Sequence, residues 1–189
     1  MADGVVAGGR FDVVARVLHW GIAVLVVGTI PVGYAMARAI GDYQLLARVH
    51  ETVGFGVLVL AVLRIVNRFV RHAPGPYAGL GAVERLGAAA SELLMYALFS
   101  AQPIVGWLMV SASGLRPQLL GGIEVPTLIS ADPDLYSTLR TLHTYLGYGL
   151  LVVFSAHILA VAFHAVVLRD GLLDRMLFGR PRGTVTRQR

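Results

Sequence analysis

Four nearly uninterrupted apolar stretches leave this chain little choice of solvent. They cover residues 13–37, 45–70, 82–111 and 139–168. A helix needs about 20 apolar residues to cross the hydrocarbon core of a bilayer. Inside that core every backbone N–H and C=O has to be bonded within the segment, which favours helices. The sequence therefore predicts an all-α membrane protein built as a four-helix transmembrane bundle. With 56% hydrophobic and 14% charged residues, too little polar chain remains for a second folded unit, so residues 1–189 read as one domain.

The cations set the expected orientation. All sixteen basic residues are arginine. With both termini on the cytoplasmic side, twelve of them fall in inner segments, and only Arg38, Arg48, Arg116 and Arg140 fall outside. That bias follows the positive-inside rule and predicts a multi-pass protein with both termini in the cytoplasm. The net charge of +5 is then a topology signal, and nucleic acid is not an expected partner. Cysteine is absent, which excludes disulfides, thiolate-held iron–sulfur clusters and covalently attached haem. Histidine is left as the metal ligand.

The stretch Arg140–Arg169 carries His143 and His157, fourteen residues apart. At about 100° and ~1.5 Å per residue, their side chains lie within roughly 40° of one another and about 21 Å apart along one helix. An ionisable residue inside a span is a functional-site hypothesis by default. His50 and His143 each open a span that enters from the outer side, and each begins the pattern H-x-x-x-G-aromatic-G-x-L-V. Gly54 and Gly147 follow these histidines by one helical turn and leave room for a flat ring. His19 starts the first span from the inner side, at a depth that His157 approaches. The topology thus predicts two b haems stacked across the bilayer, one between His50 and His143 and one between His19 and His157. His164, two turns beyond His157, competes for the inner place. Zinc requires ligands converging on one centre, and a histidine set spread over two depths does not offer that. Arg48 and Arg140 suit the propionates of an outer haem, and Arg16 and Arg64 those of an inner one.

The remaining features are less specific. Gln102, Pro103 and Gly106 mark the third span as a wall with a local kink. Glu92 is expected to snorkel toward the inner interface, with a proton or quinone contact as the sharper alternative, and His72 is expected to lie in a solvated loop. Residues 111–138 form a turn-rich outer lid, and the basic tail after Arg169 contacts headgroups.

With RVLHW in span one, RVHE in span two, ALFSAQPIVGWLM in span three and H-x13-H-x6-H in span four, the chain resembles the prokaryotic cytochrome b561 family from Arg10 to about Phe178. The resemblance implies two b haems bridged by His19, His50, His143 and His157. It also implies an activity: oxidation of periplasmic superoxide with ubiquinone as acceptor, Arg48 and Arg140 lying on the substrate side. The alternative it implies is a cytochrome b subunit that passes electrons within a larger membrane dehydrogenase or hydrogenase. Expected partners are lipid, quinone, and superoxide or a redox protein. The outer segments carry Asp42, Glu51, Glu124, Asp132 and Asp134 against four arginines, so steering of an anion has to be local.

Overall fold

A computed structural model describes residues 9–36, 38, 42–71, 74 and 79–178. Four long helices account for most of them: α1 (Val13–Met36), α2 (Tyr43–Val70), α3 (Ala82–Ala112) and α4 (Pro133–Phe163). α4 continues into a π-helical turn, His164–Leu168, which ends at Arg169 in the left-handed region (φ 51°). All four are long and apolar enough to cross a membrane, the shortest having 24 residues, or about 36 Å at ~1.5 Å per residue. Their outward faces carry exposed Val24, Val59, Leu93 and Val152, as expected where the solvent is lipid. His72, Ala37 and the tail beyond Phe178 lie outside the described residues.

The apolar stretches match the helices closely except at the start of α4, which lies six residues before the expected position. Asp132 accepts from the backbone N–H groups of Asp134 and Leu135, both at 3.0 Å. Pro133 follows at the first helical position, where its missing N–H costs nothing. Asp132 and Pro133, which fall inside the expected lid, therefore start a helix, and the lid is shortened to residues 113–132. Comparable devices start other helices. The carboxylate of Asp12 accepts from Ala15 N–H at 2.8 Å before α1, and that of Glu84 accepts from Gly81 N–H at 2.7 Å before α3. α3 runs unbroken through Pro103.

α1 packs on α2, α2 on α3 and α3 on α4, while α1 and α4 share no comparably extensive interface among the described residues. The core is a single layer contributed by all four helices: Ile22 and Val26, Val57 and Ala61, Leu98 and Phe99, Leu150 and Phe154. In sequence it lies between His19 and Thr29 on α1, between His50 and Arg64 on α2, and between His143 and His157 on α4. A polar site is thus left on either side of it.

The two ends of the bundle are closed differently. At the lid end, Gln118 N–H donates to Glu51 and Leu120 N–H to the hydroxyl of Thr52, both at 2.8 Å. Trp107 Nε1 donates to Pro126 O at 2.9 Å, so the lid is fastened to α2 and α3. At the terminal end, the segment after α4 returns across the start of α1. Arg16 donates to Leu177 O at 2.9 Å, Trp20 to Met176 O at 3.0 Å, and the buried Arg175 to Gly9 O at 3.2 Å. Residues 170–178 thus dock on the protein itself, through the carbonyls of Met176 and Leu177 and the guanidinium of Arg175.

Candidate functional site

The four expected histidines meet in two pairs across the seam between α4 and the α1–α2 layer. Near the lid end, the rings of His50 and His143 have centroids 6.1 Å apart with planes at 77°. Near the terminal end, those of His19 and His157 are 6.4 Å apart at 66°. All four are partly buried. His164 does not face His19 in this way; its Nδ1 lies 2.5 Å from the Asp170 carboxylate, whose other oxygen accepts from Leu172 N–H.

These separations fit a bis-imidazole metal. Two rings holding one ion from opposite sides, with bonds of about 2.0 Å and roughly 1.1 Å from nitrogen to ring centre, have centroids about 6 Å apart. A second observation concerns the pair at the lid end. Gln102 donates to His143 O at 3.0 Å, and its amide nitrogen lies 3.3 Å from His143 Nε2. Gln102 Oε1 and His143 Nδ1 remain buried without a hydrogen-bond partner. Orphaned polar atoms are rare in folded proteins and mark places where a further ligand belongs. On the opposite ring, Thr29 Oγ1 bonds His50 Nδ1 at 3.1 Å. That bond fixes the imidazole and frees its other nitrogen for a metal, the usual outer-shell arrangement for a ligating histidine.

Two glycines back the rings of this pair. A Cβ built on Gly33 would lie 3.2 Å from His50 Cε1, and one on Gly106 would lie 3.1 Å from His143 Cε1. At the glycines of the repeated motif, a Cβ on Gly54 would lie 4.0 Å from Pro103 Cβ and one on Gly147 would lie 3.2 Å from Gln102 Nε2, both on α3. Gly33, Gly106, Thr29 and the histidine contacts of Gln102 were not legible beforehand. Gln102, an amide within an otherwise apolar span, was the available signal.

The arginines divide by end. Arg48 and Arg140 are exposed at the lid end. There Arg116 pairs with Glu124 at 3.3 Å, and Arg38 lies over the Tyr34 ring. At the terminal end Arg16 is held by Leu177 O and lies over Phe178. Arg64 reaches inward from α2, donating to Ala15 O at 3.0 Å and to the Tyr96 hydroxyl at 3.1 Å. Glu92 accepts from the Tyr96 hydroxyl and pairs with Arg68, each at 3.1 Å.

Comparison with known proteins finds relatives over most of the chain. The chain is 27% identical over 171 residues to cytochrome b561 homolog 2 of Escherichia coli, covering 89% of this chain and 91% of that protein. It is 28% identical over 162 residues to a probable superoxide oxidase of Yersinia pestis (85% and 91% covered). A cytochrome b562 of Cereibacter sphaeroides is 29% identical over 177 residues (87% and 92%). The family model described as prokaryotic cytochrome b561 matches residues 10–179. Four spanning helices with histidines facing across their seam thus have a family to account for them: the chain belongs to the prokaryotic cytochrome b561 family of electron-transferring membrane cytochromes b.

Proposed function

We propose that the protein holds two b haems, one between His50 and His143 and one between His19 and His157, and carries electrons from superoxide at the lid end to ubiquinone at the terminal end. The observation that carries this reading is the double pairing of imidazoles at 6.1 and 6.4 Å on either side of an apolar layer. Haem supplies one-electron exchange, which no side chain of this chain offers. The positive-inside bias supports placing both termini, and hence the His19/His157 end, in the cytoplasm.

The chain's own residues have separable tasks in this reading. Thr29 and Gln102 orient the outer rings. Arg48 and Arg140, exposed beside the lid, give an approaching anion a local positive field. Arg64 places a permanent cation close enough to act electrostatically on both His19 and His157, where it favours an incoming electron. Two superoxide anions give two O2 and two electrons, and one quinone takes those electrons with two protons. The likeness to the probable superoxide oxidase supports the donor. The weak anionic balance of the outer segments supports the second reading, a cytochrome b subunit that receives electrons from a protein partner.

The test is direct. Purified protein should carry two non-covalent haems per chain, all extractable by acid–acetone. In anaerobic mixtures it should reduce a ubiquinone analogue at the expense of added superoxide. One haem per chain refutes the double site; two haems with no superoxide-driven quinone reduction favour the subunit reading.

A further inference from the structure

At the terminal end a continuous hydrogen-bonded chain leads from the His19/His157 level to a surface cavity. Arg64 donates to the Tyr96 hydroxyl, Tyr96 donates to Glu92, and Glu92 pairs with Arg68, each step 3.1 Å. Glu92 remains one-third exposed, and it lines the cavity with Asp12, Arg68 and Arg71. The charged and titratable groups facing it are thus Arg64 and Arg68 of α2, Arg71 just past the end of that helix, Tyr96 of its own helix, and Asp12 ahead of α1. On α4, His157 lies within electrostatic reach. A surface anchor does not need this construction. An interfacial glutamate that only snorkels has no use for a tyrosine joining it to a cation one turn deeper.

We propose that Glu92 is a proton-uptake site coupled to the arrival of an electron between His19 and His157. This rests on the presence of a haem there. One electron adds one negative charge in a medium of low dielectric, where uncompensated charge is costly. Arg64 is a fixed cation beside this level. Glu92 takes one proton from the water of the cavity, so electron and proton cancel in charge, and it releases that proton when the electron leaves. Tyr96 transmits the change to Arg64: once protonated, Glu92 is neutral, and Arg64 faces the added electron without a competing anion.

The experiment is a spectroelectrochemical titration of the haem-loaded protein between about pH 5 and about pH 8. In the native protein the terminal-end haem should lose up to tenfold in electron affinity per pH unit, or 59 mV for one electron, over part of that range. Glu92→Gln should abolish the slope, Glu92→Asp should restore part of it, and Glu84→Gln on the same helix should leave it unchanged. Because Glu92→Gln is open to losing haem, a second measurement uses the native protein. Its reduced-minus-oxidised infrared spectrum should contain a protonated-carboxyl band that shifts in D2O. A native potential independent of pH, a slope that survives Glu92→Gln, or the absence of that band overturns the proposal. A protein with no haem at this level overturns the underlying reading and the proposal together.

Discussion

Gly106→Ala separates the proposed outer site from general stability, because the two effects have opposite signs. A methyl group on Gly106 would lie 3.1 Å from His143 Cε1 and 3.4 Å from Nδ1, while ordinary contact begins near 3.4 Å. The imidazole has to retreat by a few tenths of an ångström. That motion alters a 6.1 Å ring separation which already matches the span of a bis-imidazole metal. Misplacing a group that orients a ligand typically costs about 10–100-fold in metal affinity, and the lower end applies to so small a displacement. Alanine also favours the helix over glycine by roughly 0.5–1 kcal/mol, so thermal stability of the haem-free bundle should hold or rise slightly. The assay is haem occupancy by pyridine haemochrome during dilution, with the two haems resolved by low-temperature electron paramagnetic resonance. Roughly tenfold weaker retention of the haem at the His50/His143 level is expected, with the other signal unchanged. Full retention of both haems with native signals would refute the steric argument.

Other predictions follow from the same geometry. His50→Ala and His143→Ala should remove one and the same haem, and His19→Ala and His157→Ala the other, while His164→Ala keeps both; the readout is the resolved spectrum of each variant. Arg140→Glu should slow reduction by superoxide and weaken its salt dependence, with haem spectra and quinone reaction preserved, in stopped-flow mixing at several ionic strengths. Asp132→Ala should cost about 1 kcal/mol through loss of the α4 cap, seen as a lower thermal midpoint with haem content intact.

The apolar stretches made the spans legible, because length and hydropathy alone decide whether a helix can cross a membrane. The start of α4 was misjudged for a physical reason. Asp132 and Pro133 are polar turn formers by composition, but together they cap a helix that begins ahead of its apolar run. The two histidine levels were legible from helical periodicity and the up-and-down topology of the spans, since His143 and His157 share a face. The glycines that back the rings were not. Gly33 touches a histidine on α2, and Gly106 one on α4; such contacts depend on the rotation and height of one helix against another, which no single helix encodes. The pairing of Glu92 with Arg68 was not legible for the same reason, because Arg68 belongs to a neighbouring helix.

The layer formed by Ile22, Val26, Val57, Ala61, Leu98, Phe99, Leu150 and Phe154 has an electrical consequence. It offers ions and water no polar foothold between the two histidine levels, while electrons can tunnel through packed side chains. With donor and acceptor at opposite ends, as proposed, charge crosses this layer only as electrons, and the protons consumed by the quinone come from the terminal end. Each turnover then leaves that side more negative and more alkaline. The bundle would act as a small generator, and an opposing membrane voltage should slow it.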